Sequence, residues 1–344
     1  MALQSGFFDE GKCRANARAY ARNPAVIGVV GPSHSACTGA MLPILNGAAG
    51  GPVPIVSHAN TGAFLVGRDP LAPAGELDRL FPGGRSGYAQ IMPADDYEAA
   101  AAAMHAQRVS PAGVFVVTDE FTHDGSSPVW FRRAARRLGL PILGTAFQRS
   151  RSRRVAVLAR RIEASGARAV YLQTGADRFI APLRGRLGDE VTVILAAFGG
   201  IPISGLFDAA GDAARGIHVT IPGLPVDRLP AAGRRFVRDF GSTRPGGRVP
   251  EWAVYGAAAT EALLAAIARS DGSRASVARA LASVDLPDTP VGRLRFTHTG
   301  EPATNPVAIV RAERGGEPDD GVSTAGGTIL DIVDPPPRLV GAGR

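Results

Sequence analysis

Short apolar runs alternate with helix-period stretches through most of this chain, and that alternation most constrains its fold. Ala25–Val30 is a continuous apolar run closed by Gly31-Pro32, and reads as a buried parallel strand. Ala40–Leu45 lies in the next helix, and Val53–Ser57 is the next strand. Upstream, Asp9–Arg22 spaces Ala15, Ala19 and Tyr20 as one helical face. Gly62–Gly87 is rich in glycine and proline and reads as a long loop before the strand Tyr88–Met92. Repeated strand–helix–strand units require a mainly parallel sheet with helices on its faces.

A second series follows. Asp95–Gln107 is alanine-rich and helical, with Asp95 and Asp96 placed for the positive end of its dipole. Strands are expected at Gly113–Thr118, Ile142–Ala146, Ala169–Gln173, Thr192–Ala197 and Ile217–Ile221. Helices at Pro128–Leu138, Val155–Ser165 and Phe179–Leu187 separate the first four. Three helical stretches then come without strands between them: Ala231–Phe240, Trp252–Arg269 and Ser273–Ser283. Leu294–Thr297 and Val307–Arg311 read as a closing antiparallel pair. The expected organisation is two α/β lobes with the late helices returning to the first. Lobe 1 comprises residues 1–93 and 226–288, lobe 2 residues 94–225 and 289–314. Several crossings between them make a multi-strand hinge. Residues 315–344, with Asp334-Pro335-Pro336-Pro337, read as a mostly disordered tail. No internal repeat is visible.

Charge narrows the function class. The formal net charge of the 344-residue chain is +7, which raises nucleic acid or a membrane surface as partners. All of the 38 cationic residues but Lys12 are arginines. They are dispersed, densest at Arg149, Arg151, Arg153 and Arg154. With aromatics at 6% and none interleaved with that run, no base-stacking platform is suggested. Nucleic acid is therefore set aside, and the arginines read as a solvated face. No apolar run is long enough to cross a membrane. The stretch MALQSGFFDEGK has neither a basic nor an apolar region of the kind a signal peptide needs. Cys13 and Cys37 stand outside any CxxC, so no zinc knuckle is expected. One cysteine precedes a strand and the other opens the helix after it. They are a candidate disulfide, the alternative being two buried thiols.

From Val26 to Thr61 the sequence reads VIGVVGPSHSACTGAMLPILNGAAGGPVPIVSHANT. This resembles the type I periplasmic binding proteins of the Leu/Ile/Val-binding branch. Further matches are VFVVTD at Val114–Asp119, AVYLQT at Ala169–Thr174, Trp252–Ala259, and VGRLRF at Val291–Phe296. The resemblance runs from about Phe8 to Val310, and its specificity lies in the order and spacing of the motifs. It implies two Rossmann-like lobes with parallel sheets that close over a small ligand. It also implies no enzymatic activity and no cofactor, an extracytoplasmic location, and an ABC permease or a fused signalling domain as partner. In the family a strand, a helix and a second strand precede the helix that carries Cys13 here. Their absence reads either as a fragment or as a sheet completed by another segment, because a missing central strand exposes backbone donors and acceptors.

The resemblance also implies a site. Ligands of open α/β sheets bind beyond the carboxyl ends of strands, near helix N-termini. Ser33, His34 and Ser35 follow the Ala25–Val30 strand, and Ser35 falls on the family serine that meets a ligand carboxylate. Ser33 or Ser35 also serves as a helix N-cap in the plainer reading. Ala59, Asn60 and Thr61 fall on positions that supply a backbone carbonyl, a backbone amide and a hydroxyl; Asn-Thr-Gly is equally good turn chemistry. In the second lobe His123 replaces a common family tyrosine, Gly175 falls near another, and Phe198 stands where an acidic residue would pair with a ligand ammonium. The carboxylate half of an amino-acid site is retained and the ammonium half is not. The implied ligand is a small polar or anionic amino-acid-like molecule, but not a plain aliphatic α-amino acid. The same residues admit three further readings. His34, His58 and His123 as a zinc site is the weaker view against three solvated loop histidines. A hydrolase built on Ser35, His123 and Asp119 lacks a GxSxG elbow. A ligand-sensing module of a larger regulatory or receptor protein is the main alternative to import. GxGxxG and P-loop lysine motifs are absent.

Overall fold

The computed structural model describes residues 9–84, 87–119, 125–149, 154–173, 179–196, 203–247, 249–250, 252–313 and 327–341. The chain forms two compact units. Unit 1 is Met1–Ala94, Val226–Asn305 and Gly343–Arg344; unit 2 is Asp95–Pro225 and Pro306–Ala342.

Unit 1 holds a parallel sheet of β1 (Val29–Val30), β2 (Ile55–Ser57) and β3 (Tyr88–Gln90), in that order. Helix α1 (Glu10–Arg22) precedes β1, α2 (Ser35–Asn46) follows it, and the short α3 (Glu76–Leu80) interrupts the stretch read as loop. Asp9 caps α1 by accepting the Lys12 N–H. Leu42, Leu45, Ile55, Leu65 and Leu80 are fully buried in the unit's core. Cys13 of α1 and Cys37 of α2 meet in the same cluster and are joined by a disulfide.

The strand expected over Ala25–Val30 is only two residues long. The reason lies in Arg274, which is buried on a later helix and takes the Val26 carbonyl. That carbonyl is satisfied by a guanidinium instead of a neighbouring strand.

Downstream in unit 1 come α9 (Ala231–Ser242), α10 (Ala253–Ala268) and α11 (Arg274–Ala282). They are followed by β9 (Asp285–Thr289) and β10 (Gly292–Arg295). These two strands form an antiparallel hairpin, so Leu294 pairs with Leu286 and not with the Val307–Arg311 run. The sequence Asp-Leu-Pro-Asp-Thr has little strand propensity, which hid β9.

Unit 2 is a seven-stranded sheet. Its strands are β4 (Val114–Thr118), β5 (Ile142–Phe147), β6 (Ala169–Gln173), β7 (Thr192–Ala196), β8 (His218–Pro222), β11 (Val307–Ala312) and β12 (Gly327–Val333). The order is β12-β11-β8-β7-β6-β4-β5. β4 to β8 are mutually parallel; β11 runs antiparallel to both β8 and β12. Register sets Val117, Leu172, Leu195, Val219 and Val310 side by side across five strands. All five are essentially inaccessible, so a single row of side chains ties the sheet to its helices. Helices α4 (Asp95–Val109), α5 (Ser127–Leu138), α6 (Val155–Ala164), α7 (Ile180–Leu187) and α8 (Ile203–Ala210) flank it. The Ala99–Ala103 run is buried throughout; small side chains let a helix axis approach its neighbours closely.

Gly327–Val333 lies in the stretch read from sequence as tail, yet it forms β12 on the outer edge of β11. Its pattern of exposed and part-buried positions is that of an edge strand, a weaker sequence signal than a buried run.

Candidate functional site

β1 and β2 are parallel, so the loops after them emerge at the same end of the unit 1 sheet. One loop carries Ser33, His34 and Ser35, the other Ala59, Asn60 and Thr61. The structure brings these two loops together through side-chain to backbone hydrogen bonds.

Ser57, the last residue of β2, donates from Oγ to the Pro32 carbonyl at 2.8 Å. The same oxygen accepts the Ala59 N–H at 3.4 Å and the Asn60 N–H at 3.1 Å. Asn60 is fully buried. Its Nδ2 donates to the carbonyls of Ser33 at 3.1 Å and Pro32 at 3.3 Å, and its Oδ1 accepts from Thr38 Oγ1 at 2.6 Å. The amide of Asn60 is thus engaged with Ser57, and the residue fastens the loops to each other. This bracing role, and that of Ser57 and Thr38, is not evident from the family positions. The Ser-x-x-Asn spacing at the strand end is the sequence signal for it.

Helix α2 is capped by His34, whose Nδ1 accepts the Ala36 N–H at 3.3 Å. The cap is therefore neither Ser33 nor Ser35: Ser35 is the first helical residue, and Ser33 is exposed. Ser35 Oγ instead accepts the N–H groups of Thr61 at 3.3 Å and Gly62 at 3.1 Å. A hydroxyl has two acceptor sites and one proton. With both acceptor sites filled by the backbone, the Ser35 proton is oriented away from them, and no protein group takes it among the described residues. The Thr61 hydroxyl also lacks a protein partner among the described residues, and both residues are half-buried. The arrangement presents two hydroxyl donors beside the Ser35 and Cys37 N–H groups in the first turn of α2, which have no intrahelical acceptor, while the Ala36 N–H is taken by His34. Gly62 is required here: a Cβ on it would lie 2.7 Å from the Phe64 ring and 2.9 Å from Ser35 Cβ.

Burial lowers the pKa of both His34 and His58 below the usual histidine value. Their rings are neutral at pH 7, so hydrogen bonding and helix polarity, not formal charge, make this end of unit 1 attractive to an anion. Among the described residues no group of three His, Cys, Asp or Glu side chains is arranged to hold a metal. Asp119 is fully buried at the end of β4. His123, Gly175 and Phe198 lie outside the described residues.

Residues 8–317 match the family described as periplasmic binding protein. The chain belongs to that family. Among solved structures it is similar to a leucine binding protein LivK from Thermotoga maritima, at 19% identity and a TM-score of 0.69, covering 95% of this chain and 85% of that one. An ABC transporter substrate-binding protein from Desulfitobacterium hafniense in complex with Leu is 20% identical, with a TM-score of 0.69 and coverage of 94% and 85%. A solute binding protein of an ABC transporter from Rhodopseudomonas palustris HaA2, in complex with p-hydroxybenzoic acid, is 15% identical. Its TM-score is 0.68, with coverage of 96% and 84%. No match was found among curated proteins. The two α/β units and their parallel-dominated sheets are those of the type I fold. Members of the family work outside the cytoplasm, and no helix among the described residues is long and apolar enough to cross a membrane.

Proposed function

We propose that the chain is the solute-binding component of an ABC importer, and that its ligand is a small carboxylate. It acts by binding and has no catalytic role. The observation that carries this reading is the Ser35 hydroxyl, locked by the Thr61 and Gly62 N–H groups so that its proton is left for a ligand oxygen. Together with the Thr61 hydroxyl it gives two donors to one carboxylate, a charge-assisted pairing stronger than a neutral hydrogen bond. The Ala59 carbonyl, on the same loop, is the candidate acceptor for a ligand N–H or O–H.

The similar proteins from Desulfitobacterium hafniense and Rhodopseudomonas palustris HaA2 are in complex with Leu and p-hydroxybenzoic acid. A carboxylate is common to both, which supports a carboxylate as the constant end of the ligand. By the sequence resemblance, Phe198 falls where the family has an acidic partner for a ligand ammonium. A phenyl ring offers at most a cation–π contact there. This favours an amino-acid-like or aromatic carboxylate that does not depend on an ammonium pairing. By the same family resemblance His123 is a polar candidate for the ligand.

Calorimetry of the chain with leucine, isoleucine, valine, glutamate and p-hydroxybenzoate tests the reading. Binding of a carboxylate, weakened at least tenfold in Ser35→Ala, is the expected result. Tight binding of the three aliphatic amino acids overturns the ligand class. Binding unaffected by Ser35→Ala overturns the site.

A further inference from the structure

The outermost strand of a sheet offers unpaired backbone groups to any strand that approaches, and folded proteins blunt such edges. Of the four edges of the two larger sheets, those at β3, β5 and β12 are blunted. At β3 the Gln90 N–H donates to the Gly300 carbonyl at 2.9 Å. At β5 the Thr145 carbonyl accepts from Arg161 Nη2 at 3.1 Å. On β12 the pairing slips past Leu330, and Asp331 is ion-paired with Arg108. β1 is the exception.

The Val29 and Gly31 N–H groups donate to the carbonyls of Pro54 and Val56 at 2.8 and 2.9 Å. Backbone groups alternate in direction along a strand, so the N–H and carbonyl of Gly28 and of Val30 point away from β2. None of these four groups has a hydrogen-bond partner among the described residues. The free stretch is short and closed at both ends. The Val26 N–H donates to the Asn23 carbonyl, and the Val26 carbonyl accepts from Arg274. Pro32 has no N–H, and its carbonyl accepts from Ser57 and Asn60. The surroundings are apolar. Gly28 lies against α10, where a Cβ on it would be 2.6 Å from Leu263 Cδ1. Leu264, the next residue of α10, is 59% exposed, and Val30 itself is 41% exposed.

We propose that this edge is the contact between two copies of the chain, paired antiparallel across a twofold axis at Val29. That register is self-complementary. Gly28 of one copy stands opposite Val30 of the other, and the two residues exchange both of their N–H···O bonds. The axis repeats the exchange on its other side. All four free groups of each copy are then paired, and none is left over. A longer foreign strand gains nothing from its length, because the edge closes at Val26 and Pro32. The two Val29 residues form the non-hydrogen-bonded pair between these exchanges, where opposite side chains come closest and a β-branched pair is favourable. The Val30 side chain, exposed in one copy, meets a residue without a side chain in the other. The three-stranded sheet of unit 1 thus continues across the axis into its mate.

Sedimentation equilibrium of the full chain tests this, with circular dichroism melting to check that every variant is folded. A monomer–dimer equilibrium is expected for the wild type. Val30→Lys places an ammonium beside the axis and weakens the dimer at least tenfold. Leu330→Lys, on the blunted β12 edge, leaves it within twofold. Val29→Cys reports the register. The pairing sets the two new thiols face to face, so oxidation with diamide links the copies through a disulfide. Far less of that product forms in Val29→Cys/Val30→Lys at the same concentration. Three outcomes overturn the proposal: a wild-type chain that stays monomeric at every concentration, a dimer equally stable in Val30→Lys, or a dimer whose Val29→Cys form does not cross-link.

Discussion

His105 Nε2 lies 2.8 Å from His218 Nδ1, joining the middle of α4 to the first residue of β8 by an imidazole–imidazole hydrogen bond. Such a bond needs one ring to donate and the other to accept, so at least one must be neutral. Burial is the main cause that holds both rings at about 4. At His105 the neighbouring His218 and Arg108 act in the same direction, with Asp331 opposing them; at His218 the cations Arg311 and Arg184 act in that direction too.

The pair makes unit 2 sensitive to acid. Once unfolded, both histidines titrate near 6.5 and take up protons that the folded chain refuses until about 4. The stability they support is complete above pH 6.5 and is lost as pH falls toward 4. With solvent screening of these part-buried rings allowed for, the pair is worth about 3 kcal/mol. Urea unfolding at pH 7 and pH 4.5 measures it. His105→Gln/His218→Gln should show a smaller drop between the two conditions than the wild type; equal drops would place the sensitivity elsewhere.

Arg274 predicts a large stability effect far from the ligand loops. Its guanidinium donates to the carbonyls of Tyr20, Ala21, Asn23, Val26 and Ala49, with no carboxylate among these partners. It therefore closes the end of α1, the approach to β1 and the turn after α2. Truncation removes five donors at once; the Tyr20 and Asn23 carbonyls keep a backbone N–H, and the Ala21, Val26 and Ala49 carbonyls lose their side-chain donor, at a cost of about 3–5 kcal/mol. Arg274→Ala should lower the unfolding free energy from urea titration by that amount. Arg274→Lys should recover less than half of it, because an ammonium cannot present the planar five-donor fork.

Reduction should weaken unit 1 in a separate way. The Cys13–Cys37 bond closes a loop with a sequence separation of 24, for which chain entropy predicts about 3 kcal/mol. Cys13→Ser/Cys37→Ser, or unfolding with reductant, should show a loss of that order. Reductant should have no added effect on the double variant. A wild-type midpoint unchanged by reductant would sink the prediction.

Much of this was readable in advance because apolar runs and helical periodicity survive burial. β4, β6 and β7 fall where continuous runs such as Val-Phe-Val-Val place them. Elements stabilised by tertiary partners were less legible. Ala25–Val30 has strand composition, but Arg274, 248 positions away from Val26, takes its carbonyl. β12 is an edge strand in a glycine- and proline-rich neighbourhood, and β9 carries two aspartates and a proline. At the candidate site, residue types and spacing placed Ser35 and Thr61 on neighbouring loops. They did not show that His34 would cap α2, or that Asn60 would be enclosed by Pro32, Ser33, Thr38, Ser57 and Tyr88.

That enclosure separates two kinds of loss at the ligand loops. Ser35 faces outward with its proton unclaimed, so Ser35→Ala removes a ligand contact and two acceptor interactions at a part-buried surface. The stability change should be about 1 kcal/mol, with ligand affinity falling at least tenfold. Asn60 is fully buried and holds Pro32, Ser33 and Thr38 together. Asn60→Ala leaves the buried Thr38 hydroxyl and the Ser33 carbonyl without their Asn60 partner, with only Ser57 still holding Pro32, which costs about 2–3 kcal/mol and lets the Ser33–Ser35 loop drift from Thr61. Thermal unfolding and calorimetry on the same two variants should therefore disagree in rank. Asn60→Ala should be the less stable, and ligand should restore less of its lost melting temperature than it adds to the wild type. If Ser35→Ala proves the more destabilised of the two, Ser35 is the brace and not the contact.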